Sequence, residues 1–402
     1  MNVPKLRFKE FTDKWQKVPL NLFTNIYGGY AFKSENLLNY KAKYQVIKMG
    51  NVNNNTLNLE KNPSYLNTIS QKELPYLLEK NDIILTLTGT FGKKDFGYSY
   101  QIKNETNLLL NQRLAVFKIT NSNYSANFLK YILLNNTFLN KFFRFSVGGT
   151  GNQANVSIQD IKSFKIPFPK LEEQNKIANF LTTVDKKITN LENTIISLEN
   201  QKKGLLQQIF SQKLRFKDKN GNNYPNWEKK KLEDISNITM GQSPDSDFVN
   251  TEKIGTPFLQ GNAEFTNKYP IEKYWCTKPQ KIANPTDILL SVRAPVGAIN
   301  IANKKFCIGR GLSAISFNCN KLFGKYNLEF NLFQLIKKSQ GSTFSSINKK
   351  DISEVILFIP CLEEQTKIAD FLSAFDRKLE NQKAQLEHWK QIKKGLLQQM
   401  FV

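Results

Sequence analysis

The chain has 402 residues, 40% of them hydrophobic, with 57 Lys and Arg against 34 Asp and Glu, a net charge of +23. This is a globular composition with room for two or three domains, which excludes a disordered chain and favours a polyanionic partner. The opening MNVPKLRFKE lacks the apolar core of a signal peptide, and no apolar run approaches the ~20 residues of a membrane span, so a cytoplasmic protein is expected. Cys276, Cys307, Cys319 and Cys361 have no metal-ligand spacing and are expected as buried free thiols, with no metal site. The single histidine, His388, is expected on the flank of a coiled coil.

In chain order, Lys5-Leu-Arg-Phe-Lys9 with Trp15 and Leu20 opens a segment that reads as mixed α/β with short strands. Asp82–Gly92 predicts a strand and turn, and Gln112–Lys118 a further strand. Gly148-Gly-Thr-Gly-Asn152 predicts a loop, with Asp160-Ile161 beyond it. Residues 171–210 carry apolar side chains at 177, 181, 184, 188, 191, 195, 198, 205 and 209, a heptad seam broken by Lys202. Glu172 and Glu173 near its start and Lys202 and Lys203 near its end follow the order the helix dipole favours. A helix of about 38 residues, roughly 57 Å long, is predicted.

The chain then begins again. Lys213-Leu-Arg-Phe-Lys217, Trp227 and Leu232 echo its opening, and Asp287–Gly297 and Gly311–Phe317 echo the strand–turn–strand plan. Gly341-Ser-Thr-Phe344 and Asp351-Ile352 stand where the loop and Asp160-Ile161 stood. Residues 362–401 repeat 171–210 without a gap, 191 positions on, with 20 of 40 positions identical. Ile368, Leu372, Phe375, Leu379, Leu386, Trp389, Leu396 and Met400 occupy the seam, with Gln382 and Lys393 as its polar exceptions.

A 191-residue period exceeds any solenoid unit and marks a duplicated domain-plus-helix module. The fold class expected is α+β, or mixed: two globular α/β domains in pseudo-twofold arrangement, joined by two long helices. The divisions are 1–170, 171–211, 212–361 and 362–402, carrying net charges of +13, 0, +9 and +1. Chain direction predicts an antiparallel coiled coil, with the C-terminus returning to the N-terminal segment; the alternative is that each helix packs on its own domain. The helix ends, LEEQ-x-KIA-x-FL and KKGLLQQ-x-F, are nearly invariant between copies while the middle keeps only its period. Either a partner docks at both ends or both ends pack on the domains. Gly204 and Gly395 suggest close backbone approach or a helix break.

No catalytic set emerges. Asn62-Pro-Ser-Tyr65 matches an element of adenine methyltransferases but lacks a cofactor loop, and Gly89–Lys94 lacks P-loop spacing. Turns bearing Gly, Ser, Thr and basic residues suit phosphate and base-edge contacts. DNA-binding candidates are Thr88, Thr90, Lys93, Lys94 and Arg113, then Gln242, Ser243, Arg293, Arg310, Ser342 and Thr343.

Together, the Lys-Leu-Arg-Phe element with its Trp and Leu, Gly-Gln-Ser-Pro at 241–244, Asp-Ile-Leu-Leu-Ser-Val-Arg at 287–293, and the two helix signatures resemble the specificity subunit of type I restriction–modification systems. The resemblance spans essentially the whole chain. It implies two target-recognition domains, each reading half of an asymmetric bipartite site in double-stranded DNA, and helices that set the spacer. It further implies no active site here: two modification subunits methylate adenine, and restriction subunits join the full complex. S-adenosylmethionine, ATP and Mg2+ are then expected on those partners and none on this chain. Docking candidates are Leu171, Glu172, Glu173, Gln174, Phe180, Gly204 and Gln207, with Leu362, Glu363, Glu364, Gln365, Phe371, Gly395 and Gln398 in the second copy. Two other readings are a self-contained DNA adenine methyltransferase and a coiled-coil scaffold binding nucleic acid without sequence preference.

Overall fold

The structure, a computed structural model, describes residues 3–148, 152–266, 269–340 and 346–402. It divides into two compact units, Met1–Glu192 with Gln385–Val402, and Asn193–Ala384. Both follow one plan. The central sheet of the first unit has the antiparallel order Thr24–Gly28, Leu114–Ile119, Ile83–Thr86, Ser99–Gln101. The second unit repeats it with Ser236–Met240, Leu312–Phe317, Ile288–Ser291 and Ile299–Ile301.

The middle strands read as unbroken apolar runs because both faces of the sheet are covered. Ile83, Leu85, Ala115 and Phe117 face one core, and Ile84, Leu114 and Val116 face another. Ile288, Leu290, Ile315 and Phe317 are divided in the same way from Leu289, Leu312 and Ala314. The outer core lies under a smaller sheet, Leu108–Leu110, Tyr44–Ile47 and Tyr65–Leu66 in the first unit. In the second unit five short strands replace these three. Each unit is closed by a strand pair, Gln16–Pro19 with Lys165–Phe168 and Glu228–Lys231 with Ile356–Ile359.

The long helices run Leu171–Phe210 and Leu362–Gln399, and both contribute to each unit. In the first unit Lys393 pairs with Asp185 at 2.7 Å and Lys390 with Glu192 at 3.2 Å. In the second, Lys202 pairs with Asp376 at 2.5 Å and Lys383 with Glu199 at 2.7 Å. Position rises on one helix as it falls on the other, so the pairing is antiparallel. Ile177, Leu181, Val184, Leu191, Ile195, Leu198, Ile368, Leu372 and Leu379 fill the seam. Its polar exceptions Lys202 and Lys393 have partners: each copy's lysine meets the other copy's aspartate. Tyr131 and Tyr326 donate their hydroxyls to those aspartates at 2.8 and 2.7 Å.

The helices therefore pair with each other and also pack on the domains. At the third residue of each, a buried carboxylate gathers the unit's opening segment. Glu173 accepts two bonds from Arg7 at 2.7 Å and one from Trp15 Nε1 at 3.3 Å. Glu364 accepts from Arg215 at 3.2 and 2.7 Å and from Trp227 Nε1 at 3.0 Å. The C-terminus returns as predicted: the Leu6 amide donates to the Gln399 carbonyl at 2.9 Å, and the Leu214 amide to the Gln208 carbonyl at 3.0 Å. Phe401 lies against Trp15 in the first core as Phe210 lies against Trp227 in the second.

Two expectations are corrected. Both helices run unbroken through Gly204 and Gly395, and a Cβ at either would meet nothing within 4 Å, so neither a break nor close packing within the chain explains them. Of the thiols, Cys276 and Cys307 are buried, but Cys319 and Cys361 are only partly covered because they lie in connections rather than strands. Burial and neighbouring Cys276 push the Cys307 thiol up to about 11, which makes it unreactive.

Glu364→Ala should cost about 3–5 kcal/mol in urea unfolding, because it strands a guanidinium and an indole N–H. The double replacement Arg215→Met with Glu364→Leu should recover most of that loss. A pH effect follows from Asp185. Burial pushes its carboxyl up, but the ammonium groups of Lys393 and Lys130 and the Tyr131 hydroxyl more than reverse this and hold it below the usual range. A depressed folded value stabilises above the unfolded carboxylate pKa of about 4 and is lost as pH falls through the folded value. The stability gap between wild type and Asp185→Asn should therefore be full at neutral pH and shrink below about pH 4.

Candidate nucleic-acid interface

At one end of each central sheet, four chain segments meet through the same main-chain bonds. After the first sheet strand, the Gly29 amide donates to the Leu114 carbonyl and the Tyr30 amide to the Leu110 carbonyl, both at 3.0 Å. In the second unit the Gly241 amide donates to the Leu312 carbonyl and the Gln242 amide to the Ile308 carbonyl, both at 2.9 Å. A Cβ on Gly29 would stand 2.1 Å from the Asn111 carbonyl oxygen, and one on Gly241 2.2 Å from that of Gly309. Only glycine lets these strands cross. The third segment joins where Leu87 and Val292 donate to the carbonyls of Arg113 and Gly311, both at 2.9 Å. The fourth joins where Val156 and Ile347 donate to the carbonyls of Leu87 and Val292, at 3.1 and 3.0 Å.

The described DNA-binding candidates all fall on these segments. In the first unit Lys93, Lys94 and Arg113 are exposed. Arg113 holds a left-handed φ of 70°, a conformation that costs a side-chain-bearing residue about 1–2 kcal/mol. Thr88 is buried, and its hydroxyl donates to Asn155 Oδ1 at 3.1 Å; Thr90 donates its amide and hydroxyl to Asp95 at 2.8 and 2.6 Å. These bonds to Thr90 hold the Asp95 carboxyl below its ordinary range. Both threonines therefore serve the turn, which corrects the expectation that their hydroxyls stand free for DNA. In the second unit Gln242, Ser243, Arg293 and Arg310 are exposed, and Ser243 Oγ accepts from the Arg310 amide at 3.3 Å. Ser342 and Thr343 lie outside the described residues.

Matching main-chain bonds make Tyr30 the counterpart of Gln242, Gln112 of Arg310, Arg113 of Gly311 and Thr88 of Arg293. One backbone platform carries two unlike sets of side chains. The sequence reading missed Tyr30, Phe91, Gln112, Gln153 and Asn155, which belong to the same end. The Gly28-Gly29 pair was the available signal for Tyr30. Asn155 had none, because its contact with Thr88 spans 67 residues.

Asn62-Pro-Ser-Tyr65 is structural. The Ser64 carbonyl and the Tyr65 amide and carbonyl are spent on Val46 and Leu38, and Lys48 donates to the Ser64 hydroxyl at 2.5 Å. These bonds give the element a place in the small sheet.

The docking candidates separate by burial. Glu173, Gln174, Glu364 and Gln365 are buried with their bonds made internally. Gln174 holds the Ser125 amide and the Pro169 carbonyl at 2.8 and 2.9 Å, and Gln365 the Asn320 amide and the Pro360 carbonyl at 3.1 and 2.9 Å. Their place as partner contacts is thereby corrected: a group desolvated and fully bonded inside its own unit has none left to offer. Glu172, Gln207, Glu363 and Gln398 are exposed, Phe180 is 40% and Leu362 64% exposed, and Leu171 and Phe371 are half-buried. Gly204 and Gly395 open onto free space.

Residues 12–200 and 224–388 match the type I restriction modification DNA specificity domain. A Methanocaldococcus jannaschii protein named for the specificity subunit of the MjaX type I restriction enzyme is 31% identical over 408 residues, covering 98% of this chain and 95% of its own. Among solved structures, the type I restriction–modification S subunit from M. genitalium superposes with a TM-score of 0.64 at 18% identity, over 100% of this chain and 99% of that one. A chain from a study of assembly and conformational transition in a type I system gives 0.60 at 24% identity, over 95% and 96%. These two likenesses concern the fold. With both copies of its repeat matched and a relative aligned over nearly its full length, the chain belongs to the type I restriction–modification DNA specificity family.

Proposed function

We propose that each unit reads one half of an asymmetric bipartite site in double-stranded DNA, through the glycine-crossed end of its central sheet. The observation that carries this reading is the repeated platform with unlike side chains: one docking geometry, two messages. Arg, Gln and Lys on it are suited to base edges and phosphates. The paired helices set the spacer between the half-sites. The exposed positions at their repeated ends, Glu172, Phe180, Gln207, Leu362, Glu363, Phe371 and Gln398, with the open faces of Gly204 and Gly395, seat two modification subunits. Those partners supply adenine methylation from S-adenosylmethionine, and restriction subunits with ATP and Mg2+ complete the cytoplasmic complex. This chain supplies recognition and binds no cofactor.

Exchanging residues 20–150 for those of a relative should change one half-site and leave the other intact in methylome sequencing; alteration of both halves would refute the assignment. Inserting four residues in mid-helix, about 6 Å of rise, should lengthen the spacer and preserve the half-sites. Arg113→Gly should leave the thermal midpoint unchanged or raised, since it removes about 1 kcal/mol of backbone strain. The same variant should reduce the salt dependence of DNA binding by about one phosphate contact.

A further inference from the structure

Phe91 is an aromatic side chain held out into solvent on a stiff support. It is 59% exposed, and Val147, on the far strand of the same small sheet, is 68% exposed. The turn beneath it is fixed at several points. The Phe91 amide donates to the Asn152 carbonyl at 2.8 Å, the Lys93 amide to the Thr90 carbonyl at 3.0 Å, and Asp95 clamps Thr90. Gly92 takes the left-handed φ of 75° that closes the turn. The ring rests on Gly148, where a Cβ would stand 3.1 Å from two ring carbons, so a side chain there would dislodge it. Exposing an apolar ring on so rigid a turn gains the folded chain nothing.

What surrounds the ring identifies its partner. Lys93 and Lys94 follow on the same turn, both exposed, and neither joins an ion pair among the described residues. Arg113 lies at the same end of the sheet, linked to this strand by the bond from Leu87. Lys94 lies over the Phe143 ring and Lys93 near the Asp95 carboxylate, and both stay exposed. Exposed cations beside an aromatic ring suit a duplex, with phosphates for the lysines and a base step for the ring. Among the described residues, the second unit has a different side chain at the matching place. Counting four residues on from Val292, as Phe91 stands from Leu87, gives Val296, which is partly buried against its own unit's core.

Resting on the half-site reading above, we propose that Phe91 is a wedge pressed into one base step of the half-site read by the first unit. Lys93 and Lys94 hold the flanking phosphates. The ring unstacks that step, so this half-site is selected partly by how readily it deforms, and flexible pyrimidine–purine steps are favoured.

The test uses the full chain assembled with its modification subunits, on duplexes of its mapped site with 2-aminopurine walked through the first half. A several-fold rise in fluorescence is expected at one position. Phe91→Ala should abolish it, Phe91→Leu should retain part of it, and Lys93→Gln with Lys94→Gln should lower the salt slope by about two contacts. The thermal midpoint of Phe91→Ala should match wild type, because the ring is exposed. Persistence of the rise in Phe91→Ala, or protection of the site by wild type with no rise at any position, would overturn the wedge. Failure of Phe91→Ala to assemble with the modification subunits in the absence of DNA would also overturn it, by assigning the ring to a protein contact. Absence of any bipartite protection by wild type would instead overturn the half-site reading itself.

Discussion

In each unit one buried carboxylate ties the long helix to the opening segment. Glu173 and Glu364 sit in the first turn of their helices, where the dipole favours negative charge, and each is satisfied by an arginine and an indole N–H from the unit's opening segment. That one group fixes where the helix leaves the sheet and how the opening strand lies. The closing strand pair follows from it. A carboxylate desolvated to this degree is tolerable only with its partners in place, so it couples the three elements.

The helix pair relies on a second reciprocal arrangement. A lysine in a heptad seam weakens apolar packing, and Lys202 and Lys393 look like flaws when each helix is considered alone. Their ammonium groups are taken up by Asp376 and Asp185, with Tyr326 and Tyr131 completing the acceptors' shells. Such polar positions in a seam fix register and direction better than more leucine would, since a slipped pairing leaves the charges buried and unmatched.

Much of this was legible in the sequence. The duplication at 191 residues gave the two modules, the heptads gave the helices, and chain direction gave the antiparallel pairing and the return of the C-terminus to the opening segment. The near-identity of the helix ends admitted two explanations, and local pattern could not choose between them: Glu173 and Gln174 are constrained from within, Phe180 is exposed on one side and meets Phe8 on the other, and Gly204 faces open space. The glycine-crossed end of the sheet was half visible. The exposed basic and turn residues that gather there stand out in the sequence, but their assembly depends on contacts such as Thr88 with Asn155, remote in sequence and carried by no periodicity. For the same reason Thr88 and Thr90 looked like ligand groups and proved to be braces.

The glycine crossing has a consequence for how such a molecule can change. Position and orientation of the reading end are fixed by main-chain hydrogen bonds and by the missing Cβ atoms of Gly29 and Gly241. The outward side chains at Gln112, Arg113, Gln242 and Arg310 carry little of the fold's free energy. Mutations there are nearly neutral to folding while altering the surface presented. Two copies of one ancestor could therefore diverge in taste without passing through unstable intermediates, and either could acquire a new preference while the other kept its own.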